Sequence, residues 1–97
     1  MIDVKKILED HGFDVSQQDD GGWFIHQYTP AGEDWFFYID SLAKIKEYAE
    51  DFDPEEEFTM WIEAKNHGTQ GVPGIAELWQ DQLWKQEILK KCASEVQ

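Results

Sequence analysis

The side chains most able to do chemistry in this sequence are carboxylates, which are densest at residues 51–57, Asp-Phe-Asp-Pro-Glu-Glu-Glu. Clustered carboxylates can bind calcium, occupy the positive end of a helix dipole, or attract a cationic partner. This run lacks the sixth-position glycine and the regular ligand spacing of an EF-hand loop, so we expect no calcium site. A helix N-terminus explains Asp53 and Glu56 well but the other three acids less well, so a docking patch is a second interpretation.

Catalysis and metal binding have little support in the sequence. His11, His26 and His67 show no metal-ligand spacing. Cys92 is the only cysteine, which is too few for the usual zinc sites, and we expect it to be a small buried apolar residue. No motif places a base and an orienting group beside a serine or cysteine nucleophile. The sequence therefore predicts no enzyme activity, no catalytic residue, no metal site and no cofactor.

The net charge of the chain restricts its partners. Asp and Glu number 21, while the only basic residues besides histidine are eight lysines, for a net charge of −13. Nucleic-acid binding depends on cationic groups that displace counterions, and arginine, the favoured phosphate clamp, is absent. Nucleic acid and anionic membranes are thus excluded as direct partners, and a basic protein or peptide is expected.

The composition predicts one folded domain covering residues 1–97. Fourteen aromatic residues offer enough apolar area for a core, which a disordered acidic tail would lack. The single cysteine is typical of a reducing compartment, and the N-terminus has no apolar stretch typical of a signal peptide. No apolar run reaches membrane-spanning length, so we expect a cytoplasmic protein.

The hydrophobic pattern predicts an α+β fold in which an N-terminal helix precedes a three-stranded antiparallel sheet and three helices packed on that sheet. Apolar residues recur at helical spacing in the first and last parts of the chain and alternate in between. Turn residues at 19–22 and 29–33 separate the strands. The predicted elements are a helix at residues 3–11, strands near 13–16, 23–28 and 35–39, and helices at 41–52, 53–66 and 73–94.

The third helix has the clearest start in the sequence. Asp53 is predicted to cap it, Pro54 suits the first helical position, and Glu56 is predicted to complete a capping box. Ser41 is the predicted cap of the helix before it, and the segment at residues 66–68 is predicted to end the third helix.

The last helix has apolar residues on two sides. Trp84 falls nearly opposite Ile75, which leaves two interpretations. Trp84 is either an exposed apolar anchor within an acidic rim, or part of a helix that packs on both sides. The residues expected on the main apolar side are Ile75, Leu78, Trp79, Leu83, Leu89 and Cys92.

Two resemblances bear on function. Residues 52–65, with Met60-Trp61-Ile62-Glu63-Ala64-Lys65 followed by Gly71-Val72-Pro73, resemble a segment of small acidic proteins of uncharacterised function carried by phages and mobile elements of Firmicutes. This resemblance covers about a third of the chain, residues 48–78, and implies no catalytic residues. The order of elements is similar to that of some small acidic anti-CRISPR proteins that inhibit the type II RNA-guided nuclease. This layout implies an inhibitor that occupies a basic, nucleic-acid-binding cleft in the host cytoplasm.

Charge and layout together favour an acidic binding protein that imitates DNA and inhibits a basic partner such as a nucleic-acid-binding host nuclease. The alternative is a small structural or regulatory interaction module, monomeric or homodimeric, that uses Trp84 and the sheet aromatics while its acidity serves solubility. The residues predicted to contact the partner are Asp19, Asp20, Glu33, Asp34, Asp51, Asp53, Glu55, Glu56, Glu57 and Trp84.

Overall fold

The computed structural model describes residues 3–66 and 74–96, except for the side chains of residues 64–66. It confirms the α+β class and the order of a helix, an antiparallel sheet and then helices. The elements are α1 (Val4–Asp10), β1 (Asp14–Gln17), β2 (Trp23–Tyr28), β3 (Asp34–Ile39), a 3-10 turn (Leu42–Lys44), α2 (Ile45–Asp51), α3 (Pro54–Asn66) and α4 (Ile75–Glu95).

The three strands form a meander in which β2 lies between β1 and β3. Ile25 of β2 is opposite Val15 on one side and Phe37 on the other, so side chains of the same phase share a face. Burial alternates strictly along β3, as its period-two pattern predicts. Gly21 and Gly32 have positive φ angles in the two hairpin turns, a backbone conformation that glycine adopts without strain.

The core lies between the inner face of the sheet and helices α1, α2 and α4. Tyr48 of α2 stacks on Phe37 of β3, with ring centroids 4.1 Å apart. α3 packs mainly against α4, where Phe58 and Trp79 meet edge to face. The buried core residues are Leu8, Phe13, Ile25, Trp35, Phe37, Ile39, Ile45, Ala49, Phe52, Leu89, Cys92 and Val96.

The helix ends differ in part from those predicted. Ser41 precedes the 3-10 turn but makes no capping hydrogen bond with its side chain, and α2 begins only at Ile45. Asp53 caps α3, since its Oδ1 accepts from the backbone N–H of Glu55 at 3.0 Å. The predicted capping box is wrong, because no hydrogen bond returns from Glu56 to Asp53 among the described residues. The predicted ends at residues 67–68 and 73 lie outside those residues.

The buried side of α4 also differs from the prediction. Ile75 and Leu83, expected in the core, are exposed, whereas three polar residues of α4 are buried. Trp84 is half-buried and meets Trp35 edge to face, with ring centroids 6.0 Å apart, so Trp84 is packed whereas Ile75, nearly opposite on the helix, is exposed. No helix in the described ranges has the length and apolar character needed to cross a membrane.

Candidate functional site

Glu33, predicted to contact a partner, is instead buried inside the protein. Its side chain is 1% exposed, and its Oε1 accepts from Nζ of Lys85, itself 1% exposed, at 2.6 Å. Burial raises the pKa of the Glu33 carboxyl, and Lys85 opposes that rise. The predicted partner contact of Glu33 is wrong, because the β2–β3 turn directs this side chain towards α4. In that buried position it cannot reach a partner.

Three further side chains and two backbone groups complete a polar network around this ion pair. Thr29 donates its hydroxyl proton to Asp81, whose other oxygen accepts from the backbone N–H of Ala31 at 3.2 Å. Gln82 Nε2 donates to Glu33 at 3.4 Å and to the carbonyl of Leu78 at 3.0 Å. The network therefore joins the β2–β3 turn to α4, and we assign it a structural role.

A signal for this network was present in the sequence. Leu78, Leu89 and Cys92 lie on the buried line of α4, and so do Gln82 and Lys85 at the intervening helical positions. Polar residues in the phase of an apolar stripe indicate buried partners elsewhere in the chain. The sequence alone did not identify Glu33 as that partner.

The outer face of the sheet, which faces away from the helices, carries exposed aromatic side chains. Tyr28 is 64% exposed, Phe36 58% and Tyr38 49%, while Phe24 is half-buried and stacks on Phe36 with ring centroids 5.5 Å apart. Grouped apolar side chains of this size on a soluble domain mark an interaction surface more often than scattered ones do. We define the outer face by its residues: Asp14, Ser16, Phe24, His26, Tyr28, Asp34, Phe36 and Tyr38.

Carboxylates border these aromatic rings at both ends of β3. At one end, His26 lies between Asp34, at 2.5 Å, and Asp14, at 3.6 Å. At the other end, Asp20 accepts from the backbone N–H of Gly22 at 2.8 Å and from the hydroxyl of Tyr38 at 2.9 Å. These two hydrogen bonds lower the pKa of Asp20, with that from Gly22 the stronger cause, and keep it ionised.

Asp20 and Asp34 therefore lie where a docking role requires. Asp19 is exposed next to Asp20 in the β1–β2 turn. Each of these carboxylates lies within or beside the outer face, so the structure brings the acids of the strand turns together with the exposed rings.

A groove runs along the free edge of β3, between this strand and α3. The β3-edge groove has a volume of about 360 Å³, and its wall combines apolar rings with acids. Lys85 lies at its base, with its Nζ 5.5 Å from the ring centroid of Trp35 and 5.6 Å from that of Trp61. The residues that line the groove are Asp34, Trp35, Phe36, Glu57, Met60, Trp61 and Lys85.

The acidic run at residues 51–57 adjoins this groove through Glu57. Glu57 lines both the β3-edge groove and a neighbouring hollow of about 160 Å³, which Asp51, Asp53 and Glu56 also line. Glu55 is exposed on the first turn of α3 but lines neither depression. Of the five predicted acids of this run, Glu57 therefore reaches the sheet edge, while Asp51, Asp53 and Glu56 line the hollow next to it.

None of the residues of the outer face is a lysine. Residues 7–43 and 47–64 contain no lysine, so no strand carries one. Lys46 and Lys90 line a separate depression between α2 and α4, while Lys44 pairs with Asp40 at 3.0 Å near the end of β3. Lys85 is neutralised by Glu33. The carboxylates around the exposed rings therefore form a negative surface with few positive charges among them.

Cys92 and the potential metal ligands are the remaining reactive groups. Cys92 is buried, and burial raises the pKa of its thiol to about 11, so it is a poor nucleophile at neutral pH. Among residues 3–66 and 74–96, no three His, Cys, Asp or Glu side chains converge to hold a metal ion. The outer face and the β3-edge groove are therefore the strongest candidate site.

A scan against protein-family models, a search of curated proteins and a search of solved structures each found no match. The surface itself offers exposed aromatic rings, carboxylates at both ends of an edge strand, and no lysine among its own residues.

Proposed function

We propose that this chain is an acidic binding protein that inhibits a partner by occupying its basic, nucleic-acid-binding cleft. The observation that carries the proposal is the lysine-free outer face, in which exposed rings lie between carboxylates at Asp20 and Asp34. The β3-edge groove and the acids of residues 51–57 extend that surface on one side.

Such a surface suits a cleft lined by lysine and arginine. Carboxylates meet the cationic groups and speed encounter, while the faces of Phe36 and Tyr38 can accept guanidinium or ammonium groups at about 0.5–1 kcal/mol per contact. Half-desolvated aromatic anchors inside a polar rim are the usual arrangement of a binding hot spot. Both features favour a protein partner over a small ligand.

The charge density of the molecule is also appropriate. The long axis measures 45 Å, so a net charge of −13 corresponds to one negative charge per about 3.5 Å. One strand of DNA carries one phosphate per roughly 3.4 Å. The protein therefore matches a single strand in linear charge and has about half the charge density of a duplex.

A second candidate function is self-association through the outer face. The exposure of Tyr28 and Phe36 favours it, because a homodimer would remove both rings from water. Trp84, which was expected to contribute, packs on Trp35 and is not free to anchor a second copy. Two such faces would bring Asp34 and Asp20 of each copy together, which opposes this arrangement.

The proposal is tested by capture followed by competition. The full chain is immobilised, proteins are captured from a lysate of the source cells, and each captured protein is assayed for binding to labelled duplex DNA. We expect a captured DNA-binding protein to release its DNA when this chain is added, with weaker competition as salt rises. A captured protein that does not bind DNA, or that keeps its DNA, would contradict the proposal.

Paired variants separate the surface from net charge. Asp20→Asn with Asp34→Asn should weaken competition, because both carboxylates border the outer face. Glu9→Gln with Glu87→Gln removes the same charge from exposed positions on α1 and α4 and should compete nearly as well as the wild type. Equal weakening by the two pairs would show that only total charge matters.

A further inference from the structure

Within residues 3–66 and 74–96, the edge of β3 that faces away from β2 presents backbone groups without a hydrogen-bond partner. β3 is the last strand of the sheet, and β2 pairs with only one of its sides. At the hairpin end, the N–H of Thr29 donates to the carbonyl of Glu33 at 3.0 Å. Residue pairs that share backbone hydrogen bonds alternate with pairs that do not along an antiparallel ladder. Counting from the bonded pair Thr29–Glu33, the backbone groups of Trp35, Phe37 and Ile39 point towards β2. The N–H and C=O groups of the intervening residues therefore point away from the sheet.

These outward groups belong to Asp34, Phe36 and Tyr38, and no hydrogen bond to them from another element is present among the described residues. Natural sheets protect such edges with lysine, proline, bulges or very short strands. β1, the other edge, has four residues of mostly polar sequence, whereas β3 has six residues with four aromatic rings and no lysine. β3 is thus an open template for another strand.

We propose that β3 accepts an extended segment of the partner as a fourth strand, and that this segment alternates lysine or arginine with apolar residues. The proposal rests on the proposed function for the positive charge of the partner and adds a main-chain mode of contact. Side chains of an added strand alternate between the two faces of the sheet.

The two sides of the β3 edge require different side chains. On the inner side, the added residues meet the β3-edge groove, where Trp35, Met60 and Trp61 provide an apolar wall. On the outer side, they lie next to Asp34, Phe36 and Tyr38, with Asp20 bonded to the Tyr38 hydroxyl. Apolar side chains suit the first environment, and cationic side chains suit the second.

Charge complementarity selects a basic partner over a second copy of this chain. Pairing two β3 edges would bring together the carboxylates of two molecules, each with a net charge of −13. Like charges on neighbouring strands destabilise a sheet, and opposite charges stabilise it. The occupant is therefore a cationic strand of another protein.

The test uses short synthetic peptides with a fluorescent label and the full-length protein. The first peptide alternates lysine with valine, the second has the same composition in two blocks, and the third is the first with N-methyl groups on alternate backbone nitrogens. We expect the alternating peptide to bind at least about tenfold more tightly than the other two, because they lose strand register or main-chain hydrogen bonds. Hydrogen exchange of the backbone N–H groups of Phe36 and Tyr38 should slow when the alternating peptide binds.

A matched pair of variants tests the position. Phe36→Lys places a cation on the edge strand and should abolish binding of the alternating peptide. Ile75→Lys makes the same kind of change at an equally exposed apolar residue on α4, outside the outer face and the β3-edge groove, and should retain most of the binding. Equal effects of the two variants would overturn edge pairing.

Two other results would also overturn strand addition. Equal binding of all three peptides would show contact through charge alone, a result that leaves the proposed function intact. A wild-type dimer that Phe36→Lys dissociates would assign the edge to a second copy. The DNA competition described above decides the proposed function separately.

Discussion

At the scale of single residues, Glu33 and Lys85 show how a distant partner decides what a charged side chain does. They are 52 residues apart in the chain, and their charged atoms are 2.6 Å apart. A buried ion pair adds little net stability over an apolar pair of the same shape, because both charges lose their hydration. Removal of one partner is costly, since the other charge stays buried without compensation.

We therefore expect Lys85→Met to lower the free energy of unfolding by about 3–5 kcal/mol, because Glu33 loses its cation inside the protein. The measurement is urea unfolding followed by tryptophan fluorescence. The control is the double variant Lys85→Met with Glu33→Gln, which should recover a large part of that loss because no unpaired charge remains. A single variant within about 0.5 kcal/mol of the wild type would contradict the structural role of the pair.

At the scale of elements, the start of α3 shows which part of the acidic run is structural. Asp53 accepts from the backbone N–H of Glu55, and Pro54 occupies the first helical position. Glu55, Glu56 and Glu57 fall in the first turn, where negative charge favours the helix dipole. The helix N-terminus thus accounts for the position of these acids in the sequence, and Glu57 among them also lines the β3-edge groove.

We expect Asp53→Ala to lower the free energy of unfolding by about 1 kcal/mol, because the N–H of Glu55 loses its acceptor. Asp53→Asn keeps an oxygen at the same place and should retain most of the stability. Glu55→Gln, which removes one charge without removing the cap, is the matched control. Urea unfolding of the three variants measures the difference, and equal losses for Asp53→Ala and Glu55→Gln would show that charge, not capping, matters.

At the scale of the whole molecule, the charge that suits a basic partner also opposes folding. A net charge of −13 on 97 residues repels itself, and the strands contain no lysine that could offset the repulsion locally. Glu47 and Asp51 illustrate it, because they are like charges four residues apart on α2 and share one hollow. Binding a cationic partner would relieve this repulsion.

We expect the urea midpoint of unfolding to rise with NaCl between roughly 0.01 M and 0.15 M, as the screening length falls from about 30 Å to about 8 Å. At low salt, Asp51→Asn should raise the free energy of unfolding by a few tenths of a kcal/mol, because it removes the repulsion from Glu47. The urea midpoint of this variant should also depend less on salt than that of the wild type. A midpoint that falls over this range would show that favourable ion pairs outweigh the repulsion.

The sequence by itself determined the α+β class, the meander and the existence of each helix. These features depend on local spacing. The alternation of Trp35, Phe37 and Ile39 predicts a strand with one buried face, and Asp53-Pro54 predicts a helix start whatever the tertiary surroundings of the segment. The sequence also determined the overall charge and the absence of lysine from the strands.

Only the tertiary structure decided which acids face solvent and which edge is open. Glu33 resembles Asp34 in the sequence, yet one is buried against Lys85 and the other borders the outer face. The sequence around Trp84 is compatible with an exposed or a packed position, and the contact with Trp35 in the fold makes it packed. Local pattern cannot determine such outcomes, because burial of a polar or aromatic side chain depends on partners that folding brings from distant segments.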